Sequence, residues 1–349
     1  MAPTPVIVNP AKLTDLVFRA FRKVGLSEED ARIATDIVII TDLRGIDSHG
    51  VARLWMSYVR GLREGRINPK PNIQVISHAP ATAIVDGDQG LGFIVGHRAM
   101  EEAIRRAAQT GAGFVSVRNS THFGAGGNYA MQALKHDMIG ISMTQGGKDI
   151  VVPGSHGRGE YINVIAIAVP TGLDAPFVLD MATGVVAFGK IEIASREGKT
   201  LPVGWAVDKD GQPVTDPKKF REAGGGLLPL GGSPALGAYK GWGLAIAVDV
   251  LTGVLSAAPP TNQMAGTHFF GALRIDSFRP AAEFKKSMAE MVQGYHELPK
   301  APGVERIFIP GEPEAEIEKR RRAEGIPLNP SVADSLKEMA QALGIEYSL

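Results

Sequence analysis

Ser48, His49 and Arg53 bring a hydroxyl, an imidazole and a guanidinium into the segment Asp47-Ser48-His49-Gly50-Val51-Ala52-Arg53. A guanidinium can hold a carboxylate through two parallel hydrogen bonds, and an imidazole gains or loses a proton near neutral pH. Together they read as a carboxylate-handling site with its own proton donor. Downstream, Val51, Leu54, Trp55, Tyr58 and Leu62 recur at the spacing of one buried helical face, with Asp47 or Ser48 placed to supply an N-cap oxygen. On such a helix His49 and Arg53 stand one turn apart on another face. The unpaired N–H groups and positive dipole at the helix start favour an anion there. Adjacent helical side chains diverge by roughly 100°, which excludes Ser48 and His49 as a nucleophile–base pair, and no GxSxG elbow is present.

Other segments carry chemistry in a weaker form. Asn119-Ser120-Thr121-His122-Phe123-Gly124-Ala125-Gly126-Gly127 joins an expected strand to an expected helix, so His122 is either a satisfied structural histidine or a site residue among glycines that admit a ligand. Asp180-Met181-Ala182-Thr183-Gly184 follows the strand Phe177 to Leu179, and there a buried loop cap competes with a binding role. Gly90-Leu91-Gly92-Phe93-Ile94-Val95-Gly96 is spaced GxGxxxG, and the next strand ends Val117-Arg118-Asn119-Ser120 without the acidic residue a Rossmann unit places on the ribose. Its glycines read as close packing at a helix start. Lys240 follows Gly237-Ala238-Tyr239, too far from the glycine for a P-loop, but a cation at the start of an apolar helix can meet a phosphate or carboxylate. No HExxH occurs and the eight histidines show no ligand spacing, so no metal is assigned.

The elements that must position these residues fall into two patterns. Three helices are expected between Pro10 and Gly65: Pro10 to Val24, one opened by the capping signal Ser27-Glu28-Glu29-Asp30, and the one carrying His49 and Arg53. Beyond Pro69 and Pro71 short strands are expected at 73–76, 83–85, 114–117, 139–143, 165–169, 177–179, 271–275 and 304–309. Helices are expected at 96–110, 125–136, 240–257, 281–298 and 312–324, with a last one capped at Ser331. Residues 201–234, rich in Gly, Pro and Asp, read as loops. The fold class is therefore α/β.

Composition narrows the function classes. Hydrophobic residues at 44%, charged residues at 21% and zero formal net charge describe a globular chain without a nucleic-acid footprint. No apolar run reaches the ~18 residues of a membrane span, and no export segment opens the chain. The absence of cysteine excludes disulfides, thiolate nucleophiles and Cys-ligated metals, and fits a cytoplasmic protein. Glycine, 42 of 349 residues, exceeds the usual ~7%, so much backbone must turn tightly or approach a ligand.

Taken in order, Ser48-His49-Gly50-x-x-Arg53, the 119–124 block with His122, Asp180-Met181-Ala182-Thr183, Leu201-Pro202-x-Gly204-Trp205, Asp208 to Gly211 and Tyr239-Lys240-Gly241 resemble the malate/L-lactate dehydrogenase family. The resemblance implies a non-Rossmann, mixed-sheet α/β cofactor region at 76–311, a helical domain built from both chain ends, residues 1–75 with 312–349 packed back on it, and a homodimer with its active site in the cleft. It implies that Phe177, Val178, Leu179, Asp180, Met181, Ala182 and Thr183, with Tyr239, Lys240, Gly311, Glu312 and Pro313, line a nicotinamide cofactor. Ser48, His49, Arg53 and His122 would surround a small carboxylate substrate.

The implied activity is hydride transfer between NAD(P) and a 2-hydroxy/2-oxo acid of malate or lactate type. Reduction of a cyclic imino acid of the piperideine-2-carboxylate type and a ureidoglycolate-type dehydrogenase are the alternatives within the family. His49 is expected to move the proton while His122 positions the oxygen. Phe188-Gly189-Lys190 lacks the arginine that some NADP-preferring relatives carry before Gly-Lys, which favours NAD, with NADP possible. Two segments depart from the family pattern beside the expected site: Thr144-Gln145-Gly146-Gly147-Lys148-Asp149, where many relatives have a Thr-Asn-Ser turn, and Tyr161-Ile162-Asn163-Val164, where Gly-Thr-Asn-Pro is usual.

Overall fold

The protein is described by a computed structural model covering residues 4–155, 157–220, 222–258 and 266–349. Two capped helices open it. Pro10–Lys23 starts from Asn9, whose side chain accepts from the Ala11 amide at 2.9 Å, and Glu28–Leu43 starts from Ser27, which accepts from the Asp30 amide at 3.1 Å as its sequence signal predicts. The chain ends meet. Strand Val6–Val8 pairs antiparallel with Ile326–Leu328, and helix Pro330–Leu343 puts Leu336, Met339 and Ala340 into one buried cluster with Leu13, Leu16, Val17 and Phe21. That last helix is capped by Asn329, which accepts from the Ser331 amide at 3.0 Å, so the cap falls two residues before the expected Ser331.

The main sheet has seven strands in the spatial order Gln74–Ala79, Thr82–Asp86, Ala112–Arg118, His268–Arg274, Met138–Thr144, Val164–Val169 and Phe177–Ala182. Only the pair Thr82–Asp86 and Ala112–Arg118 runs parallel; the other neighbours are antiparallel. The sheet is mixed and not doubly wound, because the late strand His268–Arg274 is inserted at its centre. Helix Gly92–Thr110 crosses it through the glycines that imitate a dinucleotide fingerprint. A side chain at Gly92 would overlap the Thr121 carbonyl, and one at Gly96 would come within 2.9 Å of the Tyr129 ring. Those glycines serve close packing, and the Arg118 and Asn119 side chains bond back to Asp86.

A four-stranded sheet of short strands (Ala206–Val207, Gly226–Leu227, Ile150–Val151 and Arg158–Glu160) packs with helix Phe188–Glu197 around Ile150, Ile191, Leu201, Phe220 and Leu227. Two of these strands lie where the sequence reads as loop, since two-residue strands carry no periodicity. The reverse holds at 304–309, where the expected strand joins no ladder. Val304 and Phe308 stay exposed, and the segment leads to the Pro310 carbonyl, which accepts from the Val178 amide at 2.8 Å. Among the described residues no helix is long and apolar enough to cross a membrane.

Candidate active site

The segment carrying His49 is a turn that precedes a helix rather than the first turn of one. Helical geometry begins as a 3₁₀ turn at Val51–Arg53, passes through a π-helical stretch at Leu54–Val59 and ends as Arg60–Arg63. Neither Asp47 nor Ser48 caps it. The Val51 amide is taken by Asp42 Oδ2 at 2.8 Å, so the acceptor at this helix start is the protein's own carboxyl group, from the end of the preceding helix. Gly50 permits that approach, because a side chain there would overlap the Asp42 carboxylate. Burial pushes Asp42 up to about 8, with the Val51 hydrogen bond opposing the shift.

Because Ser48 and His49 are not helical, the expected 100° divergence fails: Ser48 Oγ lies 2.7 Å from His49 Nδ1. Arg321, from helix Glu312–Glu324, clamps the turn. Its Nη1 donates to the Asp42 carbonyl at 2.5 Å and to Asp47 Oδ1 at 2.6 Å.

Arg53 points back along the same turn. Its Nε donates to the Ser48 carbonyl at 2.9 Å and its Nη2 to Glu192 at 3.4 Å, while Nη1 has no partner among the described residues. A two-bond grip on a carboxylate therefore uses the Nη1/Nη2 end of the fork. Glu192 sits on helix Phe188–Glu197, whose start packs directly on the histidine turn: a Cβ on Gly189 would stand 2.7 Å from Ser48 Cβ.

His122 arrives from the opposite side of the sheet order, on the loop after strand Ala112–Arg118. Asn119, held at φ 53° with its amide on Asp86, turns that loop, and Thr121 Oγ1 receives the Gly92 amide at 2.9 Å. Beneath it His268 bridges Thr144 Oγ1 at 2.7 Å and Ser120 Oγ at 3.0 Å, stacked 4.6 Å from Phe123. The outcome is a pair of near-parallel imidazoles, His49 and His122, with ring centroids 5.6 Å apart. Tyr58 OH lies 2.9 Å from His122 Nδ1.

Protein surrounds both rings, yet solvent still reaches them, His122 more than His49. Burial lowers His49 to about 4, helped by Arg53, and lowers His122 well below the usual histidine range, helped by His49, Arg53 and His268. Water at the rings works against both shifts, and a ligand that displaces it strengthens them.

Several residues expected at the cofactor are tied by hydrogen bonds to the His122 loop or to one another. Asp180 Oδ2 accepts from the Gly127 amide at 2.7 Å, tying edge strand Phe177–Ala182 to the end of the His122 loop. Burial, reinforced by Glu314, raises the Asp180 carboxyl to about 6. Thr183 joins the Tyr239–Lys240 segment through its carbonyl, which accepts from the Leu230 amide at 2.8 Å, while the Leu230 carbonyl accepts from the Gly241 amide at 3.2 Å. Tyr239 and Lys240 are exposed at the start of helix Ala238–Asp249, a cation and an aromatic face at a positive helix end. Gly311 packs on strand residue Val178, and Pro313 sits in the first turn of the helix that follows. The Glu312 carboxylate is held by the Ile309 amide at 2.9 Å, His296 at 3.0 Å and Arg306 at 3.3 Å, which fixes the segment and turns that side chain away from ligand duty.

A lysine beside an exposed aromatic ring at a positive helix end is the kind of group a phosphate would need. The two segments that depart from the family pattern are structural at their amides: Gln145 Nε2 and Asn163 Nδ2 both donate to Asp249 Oδ1, at 2.6 and 2.9 Å.

Sequence reasoning misses Asp42, Tyr58, Gly189, Glu192, His268 and Arg321. Tyr58 was legible only as one member of a buried stripe and Asp42 only as part of the preceding helix, while Gly189, Glu192, His268 and Arg321 act across long sequence separations that no local spacing records.

With this geometry in place, likeness to known proteins is informative. A family model described as malate/L-lactate dehydrogenase matches residues 8–337. The chain is 42% identical over 344 residues to the malate dehydrogenase of Pyrococcus horikoshii, covering 96% of this chain and 95% of that one. It is 39% identical over 349 residues to the L-sulfolactate dehydrogenase of Methanocaldococcus jannaschii, covering 97% and 98%. The crystal structure of malate dehydrogenase from Entamoeba histolytica matches with a TM-score of 0.93 at 32% identity, covering 99% of this chain and 100% of that one. The chain belongs to the malate/L-lactate dehydrogenase family. It is accordingly an oxidoreductase acting on the CH–OH group of a 2-hydroxy acid.

Proposed function

We propose that the substrate is a small 2-hydroxy acid of the malate or lactate type and that Ser48, His49, Arg53 and His122 form its site. The stacked His49–His122 pair beside Arg53, whose Nη1 has no partner among the described residues, carries this reading. A bound nicotinamide supplies or accepts the hydride at C2. The Nη1/Nη2 end of Arg53 holds the substrate carboxylate, which fixes C2 and its oxygen between the two imidazoles. In oxidation neutral His49 takes the hydroxyl proton; in reduction the imidazolium returns it. Ser48 Oγ, accepting from His49 Nδ1–H, leaves His49 Nε2 free for that transfer.

Phe177 to Thr183, Tyr239, Lys240, Gly311 and Pro313 line the cofactor in this reading, with Glu312 shaping the loop beneath it. Lys240 and the start of its helix suit the pyrophosphate. NAD is preferred over NADP in this reading, because Phe188 occupies the position before Gly-Lys at which some NADP-preferring relatives carry an arginine. Residues 1–75 with 312–349 form one lobe, and 76–311 the other. A homodimer accounts for the apolar surface of the helical run after Lys240, where Leu244, Ile246, Val250, Val254 and Leu255 are exposed.

Purified protein with NADH should turn over at least one of pyruvate, oxaloacetate and 3-sulfopyruvate, and more slowly with NADPH. Turnover confined to cyclic imino acids, or none across the panel, overturns the substrate assignment.

A further inference from the structure

His122 Nδ1 faces two donors. The Gly124 amide donates to it at 3.3 Å, and an amide can only donate, so Nδ1 carries no proton. The Tyr58 hydroxyl, 2.9 Å from the same nitrogen, must then donate as well. Tyr58 is buried, with burial pushing its phenol well above the usual range, so it keeps the proton it donates. The neutral ring has its hydrogen on Nε2, and Nε2 has no partner among the described residues, on a side chain that solvent reaches. A second proton would have to enter at Nδ1 and break both hydrogen bonds, within reach of His49, Arg53 and His268.

We propose that Tyr58 and the Gly124 amide lock His122 as its Nε2–H tautomer, making it a fixed hydrogen-bond donor to the C2 oxygen and leaving proton transfer to His49. Tyr58 is then a positioning residue that acts through His122. The second half of this inference rests on the 2-hydroxy-acid reading; the tautomer does not. In the alcohol the substrate hydroxyl proton goes to His49 Nε2 while His122 Nε2–H donates to the oxygen. In the reverse direction the carbonyl oxygen accepts from His122 and takes its new proton from His49. His122 begins and ends each turnover with the same proton.

Nitrogen-15 NMR of the ligand-free protein, with His122 assigned by its loss in His122→Gln, reads the tautomer without any turnover. Between pH 6 and 8 the account requires a protonated Nε2 and a bare Nδ1. A proton on Nδ1, or an imidazolium at pH 7, overturns it. Tyr58→Phe should admit the second tautomer and raise the pH at which His122 charges. Its kcat should fall about tenfold or more with KM nearly unchanged, the cost of one displaced donor in an electrostatic site.

His122→Gln keeps a donor that cannot titrate, so it should retain turnover within about tenfold of wild type, while His49→Gln loses about a hundredfold or more, the usual range for a general base. An equal, large loss in both glutamine variants, or a Tyr58→Phe variant with an unaltered His122 spectrum, contradicts the assignment. A locked tautomer in a protein that turns over no 2-hydroxy acid would leave the lock standing and remove its proposed use.

Discussion

Two imidazoles stacked at 5.6 Å, both held on the neutral side by burial and by Arg53, bias the site by direction. A neutral His49, lowered to about 4, is a ready base for oxidation at neutral pH, whereas reduction needs the minor imidazolium form. Initial rates against pH should show kcat for hydroxy-acid oxidation flat from 6 to 8 and falling only on the acid side. Reduction should slow by about tenfold per unit above the His49 pKa. The opposite pattern would reassign the proton. Arg53 tests the carboxylate grip. Because its Nε already holds the Ser48 carbonyl, Arg53→Lys loses both the grip and the turn. Charged hydrogen bonds of about 1.5–3 kcal/mol imply kcat/KM lower by roughly tenfold to a hundredfold, read with saturating cofactor.

The site is assembled by elements that meet through small contacts. Gly189 lets helix Phe188–Glu197 touch Ser48 at a distance no side chain would tolerate. Gly189→Ala should therefore push that helix from the histidine turn, costing about 1–3 kcal/mol of stability and a larger share of activity than of melting temperature. Asp42 offers a thermodynamic test with a definite sign. Its native pKa is raised to about 8 from the ordinary 3.8, so it favours the fold at low pH and that advantage is lost as pH rises between about 4 and 8. Wild type should lose melting temperature relative to Asp42→Asn across that window, and a pH-independent difference would show that Asp42 does not titrate there.

Elements with strong periodicity or caps were legible in the chain, including Ser27, the helix Glu312–Glu324 and most strands of the main sheet. The His49 turn was not. A helical stripe starting at Val51 looks the same whether its cap is local or is Asp42, and the two short strands within 201–234 depend on partners far away in sequence.

At the scale of the molecule, the chain ends are joined through the pairing of Val6–Val8 with Ile326–Leu328, and Arg321 carries that closure to the His49 turn. The family could be read from the ordered motifs. The pairing of His49 with His122, 73 positions apart, could not, because it is produced by the sheet and by the Asn119 turn. The apolar surface at 244–255 predicts sedimentation at twice the chain mass, and Ile246→Asp with Val254→Asp should yield monomers; a monomeric wild type would require another explanation for that surface.

The central claim is tested most directly by steady-state oxidation of NADH with the panel of 2-oxo acids, run for wild type and His49→Gln side by side at saturating cofactor. The account predicts turnover by the wild type and a loss of about a hundredfold or more in the variant, with cofactor affinity retained. No turnover of any 2-oxo acid by the wild type, or equal rates for the two proteins, would contradict it.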